Sequence, residues 1–169
     1  MNRTVTMKGN ILNLEGSALK VGDKAPDFVV VDNTLSIKNL KDFAGKIKVF
    51  STTPSLDTSV CDAQVRRFND EAAKLSDKVV IVNVSMDLPF ALSRFCSTKA
   101  INKVVTLSDH REASFGKAYG VLIKELRLLA RAVFIIDDKD VIKYIEILSE
   151  VTNHPNYSAS LNALSSLLK

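Results

Sequence analysis

The chain has 169 residues, 46% hydrophobic and 25% charged, which suits a single core and one globular domain over residues 1–169. Its 23 basic and 19 acidic residues leave a net charge of +4 without any long basic run, a solvated surface and not a nucleic-acid arm. No window approaches the roughly 18 to 20 uninterrupted apolar residues of a membrane span, and the first residues lack a signal-peptide stretch, so no membrane contact and a cytoplasmic protein are expected.

Residues 3–15 alternate apolar and polar side chains around Lys8, Gly9 and Asn10, which predicts a short hairpin. Beyond Pro26, residues 27–32 predict a short strand, and Ile-Lys-Val-Phe-Ser-Thr at 47–52 a second, buried one. From Ser59 the period changes: Cys61, Val65, Phe68, Ala72 and Leu75 fall at steps of three and four, the signature of an amphipathic helix. A strand at 79–85 follows, then a helix at 87–96 opened by Asp87 and Pro89, and a strand at 104–108. A helix over about 111–119 stops at Gly120, and strands at 130–137 and 141–148 flank an Asp-Asp-Lys-Asp turn as an antiparallel hairpin. The chain closes with an amphipathic helix from Asn156 that carries Tyr157, Leu161, Leu164 and Leu168 on one face. This order predicts an α/β fold, a mixed central sheet flanked by helices on both faces, with any reactive site at the carboxyl ends of strands.

Two cysteines, Cys61 and Cys96, in a reducing compartment argue against a permanent structural disulfide. With His110 and His154 as the only histidines, and neither at a ligand or base spacing, a zinc site is not expected. Cys61 draws attention by its position. The strand at 47–52 ends before Pro54 and the helix opens near Thr58 or Ser59, so Cys61 lies in the first helical turn. Free backbone N–H groups and the positive end of the helix dipole favour an anion there, and Ser59-Val-Cys-Asp62 resembles a capping box with Asp in place of Glu. Taken singly, these residues have plainer readings: Cys61 and Cys96 as small core hydrophobes, Pro54 and Thr58 as turn and cap, Arg131 as a surface residue before a strand.

The joint spacing Pro54-Ser-Leu-Asp-Thr58-Ser-Val-Cys61 resembles the Pro-x-x-x-Thr-x-x-Cys pattern of the peroxiredoxins. Residues 87–96 and 130–137 look like further signatures of one subgroup, the bacterial thiol peroxidases or atypical two-cysteine peroxiredoxins, and the likeness runs from about residue 3 to the C-terminus. The resemblance implies a thioredoxin-like fold with an N-terminal hairpin, a homodimer, and a peroxidase without metal, flavin or haem cofactor that is recycled by thioredoxin. It implies that Cys61 is the peroxidatic thiol, attacking a hydroperoxide to give a sulfenic acid, and that Cys96 resolves it as an intramolecular disulfide. By the same resemblance Thr58 bonds the peroxide and the sulfur, Pro54 shapes and shields the loop, and Arg131 orients the thiolate and stabilises charge as the O–O bond breaks. The two cysteines stand on separate predicted helices 35 positions apart, so disulfide formation should unwind the chain near both. Val-Leu-Ile-Lys-Glu-Leu-Arg-Leu-Leu-Ala at 121–130 departs from the family pattern in being short and poor in glycine. Leu88, Phe90, Leu122, Ile123, Leu126 and Leu128 are candidates for an apolar mouth suited to alkyl or lipid hydroperoxides, although most of them read more simply as core. Two other functions fit the same thiols: a general dithiol oxidoreductase, against which the lack of any Cys-x-x-Cys speaks, and a redox sensor switched by the same disulfide.

Overall fold

The computed structural model describes residues 3–72 and 74–169. β1 (Arg3–Met7) and β2 (Asn10–Glu15) form the expected antiparallel hairpin. Lys8 and Gly9 between them take φ of 51° and 81°, the left-handed pair that a two-residue turn needs to match strand twist. There follow β3 (Val30–Val31), β4 (Ile37–Lys38), a 3-10 turn at Leu40–Phe43, β5 (Ile47–Thr52), α1 (Ser59–Ala72), β6 (Val79–Ser85), α2 (Pro89–Lys99) and β7 (Val105–Ser108). The remainder is α3 (Ser114–Ala118), β8 (Leu122–Ile123), β9 (Leu128–Leu129), β10 (Ala132–Ile136), β11 (Ile142–Ile147) and α4 (Tyr157–Leu167).

Seven strands make the central sheet in the order β11-β10-β5-β6-β7-β3-β4, with β5, β6 and β7 parallel and β10 antiparallel to β5. Successive side chains on a strand face opposite ways, so the central strands feed two cores at once. Phe50, Phe134 and Ile136 enter an aromatic core in which Phe115 and Tyr119 stack at 4.1 Å and Tyr119 meets Phe134 edge-on at 5.2 Å. Val49, Val133 and Ile135 enter the second core, with Cys61, Val65 and Phe68 of α1, Leu92 of α2 and Leu164 of α4.

Three segments differ from expectation. Only Val30–Val31 of residues 27–32 is strand, because the Asp27 carboxylate accepts the amides of Phe28 at 2.9 Å and Leu40 at 3.0 Å and bends the chain toward the 3-10 turn. The helix expected over 111–119 is confined to Ser114–Ala118. The buried Asp109 carboxylate accepts the Phe115 and Gly116 amides at 3.1 and 2.8 Å, and Ala113 holds φ of 51°, which prevents an earlier start. The segment before Arg131 is a tight hairpin, β8 with β9, which adds to β2 and completes a second sheet in the order β1-β2-β8-β9.

The N-terminal hairpin is also tied to the far end of the chain. The Thr6 amide donates to the Ser149 carbonyl at 2.6 Å, and the Val151 amide donates to the Thr6 carbonyl at 2.9 Å. The Glu150 carboxylate gathers five donors: the Thr152 hydroxyl and amide, the Thr6 hydroxyl, and the Lys8 and Gly9 amides. The Thr152 side chain first, and then Thr6, hold this carboxyl down at about 2, against an ordinary 4.5. A depressed carboxylate stabilises the fold fully above its unfolded value and loses that contribution as pH falls through its folded value. Amide exchange at Thr6 and Val151 is therefore expected to accelerate as pH drops from about 4.5 to about 2, beyond the intrinsic exchange trend, and Glu150→Gln should abolish that pH-dependent component.

Candidate active site

β5 delivers the chain to Thr52, and Thr53 continues the ladder by donating its amide to the Val84 carbonyl at 3.2 Å. Pro54, buried, then turns the chain away. The loop after it is pinned by Asp87, whose carboxylate accepts the Ser55 hydroxyl at 2.7 Å, the Leu56 amide at 2.9 Å and the Ser85 hydroxyl at 2.8 Å. Asp87 was expected to open α2. Leu88 instead stands at that helix's N-cap with Pro89 in the first turn, leaving the Asp87 carboxylate to hold the neighbouring loop. α1 starts at Ser59 and the Asp62 amide donates to the Thr58 carbonyl at 3.0 Å, so Cys61 does lie in the first turn. The capping box does not form: the Asp62 carboxylate pairs with Arg66 at 2.8 Å and Lys99 at 3.6 Å.

The Cys61 side chain points into the second core and is 0% exposed. Arg131, 70 positions later, reaches it because β10 runs antiparallel to β5 with Ala132 opposite Thr52, which sets the preceding residue beside the end of β5. Arg131 is 2% exposed and its guanidinium has three acceptors: Nη2 to Cys61 Sγ at 3.3 Å, Nη1 to Gln64 Oε1 at 2.6 Å and Nε to the Val151 carbonyl at 2.9 Å. Gln64 is oriented in turn by its own Nε2, which donates to Ser51 Oγ at 2.6 Å and to the Thr52 carbonyl at 3.4 Å. A buried cation is costly unless well hydrogen-bonded, and none of these three acceptors is a carboxylate. The acceptor able to carry charge is the sulfur, and a hydrogen bond from a guanidinium strengthens when its acceptor becomes an anion.

Thr58, by contrast, is exposed, and its hydroxyl donates to the Ser55 carbonyl at 3.1 Å instead of reaching the sulfur. It lines a groove of about 250 Å³ with Leu56, Asp57, Ser59, Asp62, Phe95 and Lys99, outside the buried thiol. Cys96 is a free, half-buried thiol on α2 that packs against the same core as Cys61. The expected apolar mouth is dispersed. Leu122 and Ile123 pair with β2, are fully buried and belong to the aromatic core on the opposite face of the sheet from Cys61. Leu128 is half-buried in β9 and Leu126 is exposed at the tip of that hairpin, while Leu88 and Phe90 are exposed at the start of α2. His110 Nδ1 lies 2.9 Å from Ser108 Oγ and His154 Nδ1 3.1 Å from the Tyr157 hydroxyl, both away from the thiols' hydrogen bonds. Sequence reasoning passed over Gln64, whose signal was a lone uncharged amide one turn beyond Cys61 on the apolar face of α1, and over Asp87 as a loop anchor.

A thiol peroxidase of Bacillus subtilis (strain 168) is 54% identical over 165 residues, 98% of this chain and 98% of that protein, and the Redoxin family model matches residues 20–161. The chain belongs to the Redoxin family, in its thiol peroxidase group. A thiol peroxidase of Oceanobacillus iheyensis is 57% identical over 160 residues, 95% of this chain and 97% of that protein. A crystal structure of a peroxiredoxin-like protein from Aquifex aeolicus superposes with a TM-score of 0.91 at 43% identity, covering 98% of this chain and 97% of that one. A thiol peroxidase from Chromobacterium violaceum shares the fold with a TM-score of 0.85 at 23% identity, over 96% of this chain and 95% of that one. These relatives bear out the expected thioredoxin-like fold and place this Redoxin-family chain among peroxidase enzymes.

Arg131→Lys keeps a charge but gives up the fork that spans sulfur, amide and carbonyl, so thiol loss at Cys61 with hydrogen peroxide, followed by stopped flow, should slow by about tenfold or more. Gln64→Leu leaves the Arg131 Nη1 donor and the Ser51 hydroxyl without their partner and is expected to lower stability in urea unfolding by about 1–3 kcal/mol.

Proposed function

We propose that the protein reduces hydrogen peroxide and organic hydroperoxides through Cys61, and that the observation carrying this reading is the 3.3 Å contact between the buried Arg131 guanidinium and the Cys61 sulfur. The Cys61 thiolate attacks one oxygen of the O–O bond; the bond breaks, the other oxygen leaves with a proton as alcohol or water, and sulfur keeps a hydroxyl as the sulfenic acid. Arg131 orients the sulfur and meets the negative charge that develops on the departing oxygen, while the Asp87-pinned loop after Pro54 shields the product from water. Because Cys61 has no exposed surface, the hydroperoxide enters by displacement of the loop from Pro54 to Thr58, which brings the Thr58 hydroxyl from the groove to the reacting oxygens.

Cys96 then condenses with the sulfenic acid to form the Cys61–Cys96 disulfide and water, and a thioredoxin-type dithiol returns both to thiols, so no bound cofactor is needed. Support for this comes from the shared core in which the two thiols pack, and on their separate helical settings we propose that α1 and α2 unwind locally on oxidation. Exposed Leu88 and Phe90, at 55% and 68%, beside the loop anchor Asp87 support a homodimer closing over this end of the molecule.

The test treats fully reduced protein, Cys61→Ser and Cys96→Ser with one equivalent of cumene hydroperoxide or hydrogen peroxide and records intact mass. The expected result is a loss of about two hydrogens that needs both cysteines, and a trapped Cys61 sulfenic acid when Cys96 is absent. Thiols intact after minutes would overturn the reading. Repeated turnover with thioredoxin and its reductase separates an enzyme from a one-shot sensor.

A further inference from the structure

Cys96 sits among polar groups as well as in the core. Its Sγ is 3.4 Å from Thr106 Oγ1 and 4.0 Å from Asn33 Nδ2, and Thr106 Oγ1 donates to Asn33 Oδ1 at 3.0 Å. Counting hydrogens fixes the direction of each contact. The Thr106 hydroxyl hydrogen is committed to Asn33 Oδ1, which has none to offer in return, so the Thr106 oxygen accepts from Cys96 and the hydrogen between them is the thiol's own. The Asn33 amide nitrogen carries hydrogens and donates to the sulfur. Three side chains thus close a ring, S–H to O, O–H to O, N–H to S, in which each donates once and accepts once.

The ring draws on three separate elements: Cys96 from α2, the buried Thr106 from β7 and Asn33 from the turn between β3 and β4. It is complete only while Cys96 is a thiol seated on an intact helix. We propose that Asn33 and Thr106 are positioning residues that hold Cys96 in its reduced seat and so set how readily the Cys61 sulfenic acid is resolved. This rests on the reading of Cys96 as the resolving thiol. In that step the Cys96 sulfur loses its proton and attacks the sulfenic sulfur of Cys61. The S–S bond forms, the S–O bond breaks, and the departing hydroxide takes up a proton as water. The Cys61 sulfur is thereby reduced by the electron pair that the Cys96 sulfur supplies.

Before attack, Cys96 must surrender both of its contacts in the ring, and neither is available to it in the disulfide. An interaction present on one side of a redox equilibrium shifts the equilibrium to that side. The ring therefore favours the dithiol and makes the disulfide easier to reduce. It also lengthens the life of the sulfenic acid, during which a second hydroperoxide takes Cys61 to the sulfinic acid.

Thr106→Val keeps the shape of the side chain and removes both hydroxyl contacts, Asn33→Ala opens the ring from another element, and Thr106→Ser restores the hydroxyl. Each is equilibrated in dithiothreitol redox buffers and then challenged with graded hydrogen peroxide, with disulfide and sulfinic acid read by intact mass. Thr106→Val and Asn33→Ala are expected to shift the dithiol–disulfide equilibrium toward the disulfide by about five- to tenfold and to lower the sulfinic fraction, with Thr106→Ser close to the unaltered protein. If the disulfide forms normally but these variants stay within about twofold of the unaltered protein, or if Thr106→Ser behaves like Thr106→Val, the ring is inert and the proposal fails while Cys96 keeps its resolving role. If the unaltered protein forms no Cys61–Cys96 disulfide, the proposed function falls and the ring proposal with it.

Discussion

A guanidinium with almost no exposed surface governs the Cys61 end of this molecule. Arg131 cannot be desolvated alone, and its three acceptors come from two distant parts of the chain: a sulfur and an amide on α1, and a backbone carbonyl just beyond β11. The arrangement therefore fixes the start of α1 against the start of β10 and both against the segment at Val151. The N-terminal hairpin participates indirectly, since Val151, whose carbonyl accepts from Arg131, donates its own amide to the Thr6 carbonyl.

The β5–β10 pair is held at both ends by a buried cation. At the end away from the thiols, Lys48, opposite Ile136, donates to the Asp137 carbonyl at 3.0 Å and pairs with Asp140 in the turn before β11. At the thiol end Arg131 plays the corresponding part. Between them every residue of both strands is buried, so a shift of one residue would bring each apolar side chain to the wrong face and each cation away from its acceptors. Register here is specified by charge as well as by packing, and that register carries a residue distant in sequence to the sulfur.

Much of this was legible in the sequence because it depends on period and on local chemistry. The alternation around Lys8-Gly9, the three-and-four spacing from Cys61 to Phe68 and the apolar runs of β5, β6 and β10 each declare their element directly. The position of Cys61 in a first helical turn is local in the same sense. What escaped depends on side-chain and edge contacts that lie outside an element's own period. Asp27 and Asp109 spend their carboxylates on amides in other segments, which shortens a strand and a helix that look longer in isolation. Residues 121–130 carry no strand signal because two-residue strands have no period, and β8 and β9 are defined by the β2 edge they join. Leu122 and Ile123, candidates for the mouth or for the core by being apolar, are buried in the core by that edge pairing. Arg131 was flagged by resemblance, but its partner Gln64 was not, since a glutamine on an apolar helix face looks like an imperfection until the guanidinium is seen against it.

The chain order of these contacts has a bearing on synthesis. Cys61 leaves the ribosome well before Arg131, and the carbonyl that fixes the arginine belongs to residue 151 of 169. Domains gather their structure as the chain emerges from its N-terminal end. For most of translation Cys61 is accordingly without its cationic neighbour, which gains its full set of acceptors only when the segment 149–151 has been made and has joined Thr6. The contact between Arg131 and Cys61 is thus completed late in assembly, when a segment near residue 151 meets one near residue 6.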